Sequence, residues 1–204
     1  MPKVSEAHLD ARRQQIVDAA VSCFAREGFH RATMQDVCRE AGLSPGAVYR
    51  YFSGKQEIIE AIAAERHSRE LGFMEQAAQA GEGAEAIRAM GRAFFSSLAD
   101  PDERERRRLG VQVWAEALRN PAILRLVKRG VDPPRSVLAR MAREAQERGE
   151  LAREIDPEAL ARMLQALFFG FVLQQAWDPK ADVGAYLETI EAVIDAVLRE
   201  PVKP

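Results

Sequence analysis

Apolar residues between Thr33 and Phe52 recur at helical spacing, and the residues around them mark two helices joined by a tight turn. Thr33 is followed three residues later by Asp36, a pair that can satisfy the free N–H groups at a helix start. Gly42 suits the left-handed residue that ends a helix. Ser44-Pro45 then begins the next helix with a capping residue and a proline at the first helical position. The stretch predicts a helix-turn-helix.

The rest of the chain repeats the helical period without strand-like alternation, which predicts an all-α fold. The sequence divides into a three-helix N-terminal domain, residues 1–55, and a larger helical domain, residues 56–204. The further helices are expected over Leu9–Glu27, from the Ser53 cap to about Ala80, over Ala84–Ala99, from Pro101 to about Arg119, over Arg135–Arg148, from Pro157 to Trp177 and over Ala181–Arg199.

Three local patterns support more specific expectations. Ser53 followed by Gln56 predicts a capping box at the start of the long fourth helix. Pro133-Pro134 either begins a new helix or kinks a continuous one, and we favour a new helix. The charged run Arg104–Arg108 mixes both signs in a helical context, so we expect a solvated helix face.

The second helix of the turn has small residues on its solvent side, surrounded by hydroxyl groups and cations. Such a helix can approach the floor of a DNA groove, whereas the alternative is an ordinary helical hairpin with half-buried tyrosines. The N-terminus of the fourth helix, next to Lys55, adds a site suited to phosphate. The candidate DNA-binding residues are Arg31, Thr33, Ser44, Pro45, Gly46, Ala47, Tyr49, Arg50, Tyr51 and Lys55.

The run Thr33–Glu57, with Gly42-Leu43-Ser44 and Val48-Tyr49-Arg50-Tyr51-Phe52 at fixed spacing, resembles the signature of the TetR family of bacterial repressors. The resemblance also takes in the helix Ile16–Phe24 and the Gly28-Phe29 corner. It implies an N-terminal DNA-binding domain, a helical effector-binding and dimerisation domain, and a homodimer that binds a DNA operator. Tyr51 stands where many members carry His, which leaves base preference at that position open.

Composition is compatible with this reading, since hydrophobic residues make up 47% and charged residues 29% of the chain. Residues 1–55 hold eight basic and six acidic residues, so the remainder carries a net charge of −4 out of the total of −2. A mildly basic N-terminal part suits contact with phosphates. The two cysteines, Cys23 and Cys38, are expected to be buried and unpaired. The N-terminus lacks the apolar core of a secretory signal, and we expect a cytoplasmic protein.

The last two helices are apolar around much of their circumference, which favours a four-helix bundle between two subunits over a monomer that buries these faces itself. The candidate dimer-interface residues are Phe169, Leu173, Trp177, Tyr186, Ile190, Val193, Ile194 and Val197. Aromatic residues and methionines of the middle helices either fill the core or line a cavity for a largely apolar small molecule. The candidate ligand-binding residues are Met90, Phe94, Gln112, Trp114, Glu116, Val137, Met141, Gln165 and Phe168.

Two other classes of function compete with a ligand-responsive DNA-binding regulator. An enzyme is disfavoured because the three histidines are scattered and no nucleophile, metal or phosphate-loop spacing is present; we expect no cofactor and no metal. A DNA-binding protein without a small effector, acting architecturally or through a protein partner, stays open. The sequence identifies neither the effector nor the operator.

Overall fold

The computed structural model describes residues 6–198, and its regular elements are helices, as predicted. The part of the chain that is described contains no strand; it has one isolated antiparallel bridge between Leu151 and Leu198. The helices are α1 (Glu6–Glu27), α2 (Met34–Ala41), α3 (Pro45–Tyr49), α4 (Lys55–Ala80), α5 (Gly83–Ser96), α6 (Pro101–Ala117), α7 (Pro121–Glu147), α8 (Pro157–Trp177) and α9 (Val183–Val197), with a 3₁₀ turn at Ser97–Ala99. The expected C-terminal residue of the last helix, Arg199, lies outside the described residues.

The chain forms two compact units. Within the described residues, the first comprises residues 6–66 and 105–127, and the second comprises residues 67–104 and 128–198. The first unit therefore extends beyond the 1–55 domain expected from the sequence, because it includes the first turns of α4, most of α6 and the start of α7.

The core of the first unit is a single cluster to which α1, α2 and the residues after α3 all contribute. Phe24, Val37, Val48 and Phe52 are each at most 1% exposed, and Leu109 of α6 joins the same cluster. Cys23 and Cys38 are buried and free, as expected, and burial raises the pKa of both thiols. This packing fixes the orientation of the two short helices of the turn.

The charged run Arg104–Arg108 is only in part the solvated face that the sequence suggested: Glu105 and Arg108 are exposed, but Arg106 and Arg107 are not. The Arg106 side chain is only 18% exposed and lies 2.5 Å from Asp18 and 3.3 Å from Glu65, while Arg107 is buried. The mixed charges suggested a solvent-exposed face. The sequence could not show that Asp18 of α1 and Glu65 of α4 pair with Arg106 of α6.

Helix α7 is continuous through Pro133 and Pro134, so the expectation of a new helix at Arg135 was wrong. Proline has no N–H group, and these two residues leave the carbonyls of Arg129 and Gly130 without their ordinary helical donors. Side chains supply other donors in the same region. The Ser136 hydroxyl donates to the Asp132 carbonyl at 3.0 Å, and Gln165 of α8 donates to the Val131 carbonyl at 2.8 Å.

Helix α5 receives its N-terminal cap from a distant residue. Glu82 precedes the helix without a side-chain capping bond, and the Ala84 N–H donates instead to the buried carboxylate of Glu150, at 2.9 Å. Burial alone would raise the pKa of Glu150, but the bonds from Ala84 and Arg148 outweigh it and the pKa is lowered. A charged carboxylate therefore completes the first turn of α5.

Candidate nucleic-acid interface and cavity

The start and end of α2 follow the sequence signals. The Thr33 hydroxyl oxygen accepts the Asp36 N–H at 3.2 Å, and the Asp36 carboxylate accepts the Thr33 N–H at 2.9 Å, which completes the capping box. The Thr33 hydroxyl also donates to the Asp36 carboxylate, at 2.6 Å, and this bond, the bond from the Thr33 N–H and Arg39 lower the pKa of Asp36. Gly42 ends the helix with a φ of +64°, a conformation that favours glycine. The turn is thus fixed by short-range contacts.

Helix α3 begins as expected and is very short. The Ser44 side chain accepts the Ala47 N–H at 3.3 Å, Pro45 occupies the first turn, and the helix ends at Tyr49. Val48 is fully buried, which anchors the helix and turns its opposite side outward. A Cβ atom added to Gly46 would meet no atom within 4 Å, so the start of α3 is open on this side.

The predicted DNA-binding residues differ in exposure. Ala47, Tyr51 and Lys55 are half-buried, and Tyr51 packs against the core of the unit. Tyr49 is more exposed, at 52%. The remaining members are exposed: Arg31, Thr33, Ser44, Pro45, Gly46 and Arg50.

Lys55 does not present a free ammonium group for a phosphate, which corrects its sequence assignment. Its Nζ donates to the carbonyls of Phe29, His30 and Ala32, at 2.9, 3.2 and 2.8 Å. These bonds use all three N–H donors of the ammonium group. Lys55 therefore holds the corner between α1 and α2 to the start of α4.

The cap of α4 also differs from the prediction. Glu57, rather than Gln56, reaches back to Ser53: its carboxylate accepts the Ser53 N–H at 2.7 Å and the Ser53 hydroxyl at 2.9 Å. These bonds lower the pKa of Glu57. Gln56 instead donates to Glu60 at 3.3 Å.

Two polar residues of α6 contact the corner between α1 and α2, not a ligand cavity. Gln112 accepts the Phe29 N–H at 3.3 Å, and Glu116 lies 2.7 Å from the His30 ring nitrogen. We therefore remove Gln112 and Glu116 from the candidate ligand-binding set. No local sequence signal connects them to Phe29 and His30, because more than 80 residues separate each pair.

The second unit contains an apolar cavity of about 610 Å³, counting the space at its open mouth. Four of the predicted ligand-binding residues line it: Met90, Phe94, Gln165 and Phe168. The Phe168 ring makes edge contacts with Phe94 and Phe95, at centroid distances of 5.5 and 5.3 Å. The lining does not include Trp114, Val137 or Met141. It does include residues that the sequence analysis did not assign to it: Glu70, Ile87, Gly91, Phe95, Gly130, Pro134, Leu138, Leu164, Leu167, Phe169, Ile190 and Ile194.

The predicted dimer-interface residues differ in exposure and in the contacts they make. Ile190 and Ile194 are buried and line the cavity, so their interface assignment was wrong; helical spacing shows an apolar position but not its partner. Tyr186 is held within its own unit, since its hydroxyl donates to the Leu167 carbonyl at 3.2 Å and its ring stacks on Phe171. Phe169, Leu173 and Val197 are half-buried.

An apolar surface is left exposed on α8 and α9. Trp177 is 74% exposed and Val193 is 47% exposed, and Met163, which the sequence analysis did not single out for the interface, is 44% exposed. Met163 and Val193 border a second, shallow apolar depression together with Leu160 and Val197. Within residues 6–198, none of these helices is both long and apolar enough to cross a membrane.

Comparisons with known proteins match both parts of the chain. A family model described as bacterial regulatory proteins of the tetR family matches residues 16–62, and one described as the C-terminal part of a BetI-type transcriptional repressor matches residues 83–199. The transcriptional regulator UidR of Escherichia coli is 27% identical over 186 residues, which cover 91% of this chain and 92% of UidR.

Solved structures agree with this match. GusR of Salmonella enterica is 26% identical, with a TM-score of 0.75 over 97% of this chain and 99% of GusR. The complex of SmeT with triclosan has a TM-score of 0.74 over 94% of this chain and 93% of SmeT. SmeT is 24% identical, so this likeness concerns the fold.

Proposed function

Because the chain belongs to the TetR family of DNA-binding transcriptional regulators, we propose that it is a homodimeric repressor released from its operator by a small molecule. The observation that carries this proposal is the open surface at the start of α3. Gly46 is exposed with no neighbouring atom in the space that a side chain would occupy, and the exposed Ser44 and Tyr49 adjoin it.

This surface has the properties of a major-groove reader. The first turn of a recognition helix contacts base edges, and small residues there allow the backbone to come close. Arg50 supplies a guanidinium group, which can bind guanine in a bidentate manner. In this proposal Arg31, Thr33 and Tyr49 contact the phosphate backbone, which fixes the register of the protein on DNA but carries no sequence information.

The exposed apolar residues of α8 and α9 support a dimer of two-fold symmetry. Met163, Trp177 and Val193 would be covered by the same residues of a second copy, as in an intermolecular four-helix bundle. Two reading helices related by such an axis require half-sites separated by one turn of DNA or a multiple of it. The operator should therefore be nearly palindromic.

The cavity of the second unit supports an apolar effector. Aromatic and aliphatic side chains form most of its wall, as is usual for sites that bind small apolar molecules. An effector releases DNA only if it binds the low-affinity conformation more tightly. A shift from 1:99 to 99:1 requires about 5.5 kcal/mol of differential binding.

The test is selection of bound sequences from a random DNA pool, followed by release assays with a panel of metabolites and drugs. We expect a nearly palindromic site whose affinity falls steeply with salt, and an Arg50→Ala variant with relaxed base preference in each half-site. An enriched site that no compound releases would favour a DNA-binding protein without a small effector. Failure to enrich any sequence would contradict the proposal.

A further inference from the structure

The polar groups on the wall of the cavity include several hydrogen-bond acceptors. The wall is otherwise built from apolar side chains, and three of its residues are relevant to polar recognition: Glu70, Gly130 and Gln165. Each offers an oxygen atom, and the chemistry of these oxygens decides which ligand the cavity prefers.

Gln165 and Gly130 offer acceptors for separate reasons. One N–H of the Gln165 amide donates to the Val131 carbonyl at 2.8 Å, which fixes the side chain, and the amide oxygen can accept a bond from a ligand. Gly130 lies four residues before Pro134, and both line the cavity. Because proline has no N–H group, the Gly130 carbonyl lacks its ordinary helical donor and can accept a bond from a ligand.

Glu70 places a carboxylate in the same wall. The residue is only 3% exposed, although it belongs to a cavity formed largely by apolar side chains. Glu70 has an interaction of its own within the protein. An ionised carboxylate has about four acceptor positions, so a ligand can share it. A ligand that carries a carboxylate is disfavoured next to Glu70, since two anions at short distance repel each other.

The aromatic part of the wall also favours a positively charged ligand. Phe94, Phe95 and Phe168 line the cavity, and the Phe168 ring makes edge contacts with each of the other two. The faces of such rings attract cations within about 6 Å of their centroids. The acceptor oxygens and the rings therefore favour a positively charged donor together with an apolar body.

We infer that the cavity binds an apolar molecule that carries a protonated amine. The ammonium group donates to the acceptor oxygens of Glu70, Gln165 and Gly130, and the apolar body packs on the phenylalanine rings. This inference rests on the proposed function, because it specifies the effector class for the cavity that we propose as the effector site.

The test is isothermal titration calorimetry of the full chain with three probes of one shape: naphthylmethylamine, naphthalenemethanol and naphthoic acid. We expect the amine to bind at least about tenfold more tightly than the alcohol, a difference of about 1.4 kcal/mol, and the acid to bind most weakly. In Glu70→Gln the preference for the amine over the alcohol should be lost. The control Glu75→Gln, at an exposed position of the same helix, should keep it.

A cavity-filling variant checks where the probes bind. Gly91 lines the cavity, and a Cβ atom added there would meet nothing within 4 Å, so Gly91→Leu should fold and exclude all three probes. Equal binding of amine and alcohol to the unmodified protein would overturn the inference and leave the effector site intact. Binding that Gly91→Leu does not affect, or no binding of any probe, would count against the cavity as the effector site and so against both proposals.

Discussion

The ammonium nitrogen of Lys55 lies 2.9 Å from the carbonyl oxygen of Phe29 and 5.1 Å from the centroid of its ring. One side chain at the start of α4 thereby binds both the backbone and the ring of the corner that precedes α2. Because the corner determines where α2 begins, this contact contributes to the placement of the whole helix-turn-helix.

Lys55→Ala should destabilise the protein rather than remove a phosphate contact. Loss of hydrogen bonds to a charged group costs about 1.5–3 kcal/mol, and the midpoint of urea unfolding should fall accordingly. Operator affinity should fall without a change in its salt dependence. Gln56→Ala, at the exposed neighbouring position, should leave the unfolding midpoint within error. Unchanged stability together with a salt slope reduced by about one unit would restore Lys55 as a phosphate contact.

Gly46→Leu should separate stability from DNA binding. Open space surrounds Gly46, and leucine has the higher helix propensity, so the unfolding midpoint should not fall. The added side chain would hold the start of α3 away from the groove, and operator affinity should fall at least about tenfold, or 1.4 kcal/mol. Fluorescence anisotropy with a labelled operator measures this loss. Gly72→Leu, at another open glycine in α4, is the matched control; equal affinity of the two variants would show that α3 does not enter the groove.

Val193→Glu should dissociate the dimer. Val193 lies on the exposed apolar face of α9, and a carboxylate there would face its symmetry mate or apolar residues of the second copy, which disfavours association. Sedimentation equilibrium should report a monomer, and operator affinity should fall because both half-sites are no longer bound together. Leu118→Glu changes a side chain that is 87% exposed in the other unit and should remain dimeric. A dimeric Val193→Glu variant would place the interface elsewhere.

Acid should reduce stability in part through the cap of α2. The pKa of Asp36 is lowered from 3.8 by its bonds with Thr33 and by Arg39, so the folded state favours the ionised form. Its contribution is therefore fully present above about pH 4 and is lost as the pH falls through the lower folded-state pKa. Asp36→Asn should be less stable than the unmodified protein at pH 7, and the difference should narrow below pH 4.

Urea unfolding between pH 2 and pH 7 measures this effect. Thr33→Val removes the hydroxyl that donates to Asp36 and should make the unfolding free energy less dependent on pH in the same range. If the curves of Asp36→Asn and the unmodified protein run parallel throughout, the lowered pKa contributes nothing to stability.

The helix-turn-helix could be predicted from the sequence because each of its signals acts over a few residues. The pair Thr33 and Asp36, the turn at Gly42 and the restart at Ser44-Pro45 appear in the structure as expected. Each needs only the local backbone, so no knowledge of tertiary packing was required.

The contacts that the sequence could not show join distant parts of the chain. The polar side chain of Gln112 is of a type that often contacts ligands. Its position beside Phe29, however, depends on how α6 packs in the first unit. Ile190 and Ile194 have the same apolar character as Val193, and only the tertiary structure shows that the first two are buried while Val193 is exposed. The helical periodicity of the sequence therefore identifies the apolar positions, but it does not show which residues they pack against.

The bond between Ala84 and Glu150 has a consequence for the order of events during synthesis. The first turn of α5 emerges from the ribosome 66 residues before the carboxylate that completes it. Until that later segment is made and folded, the beginning of α5 has only water for its free amide groups and should fray. In a nascent chain that stalls in α7, the first turn of α5 would therefore lack its cap. The cap would form only after Glu150 had been synthesised and released.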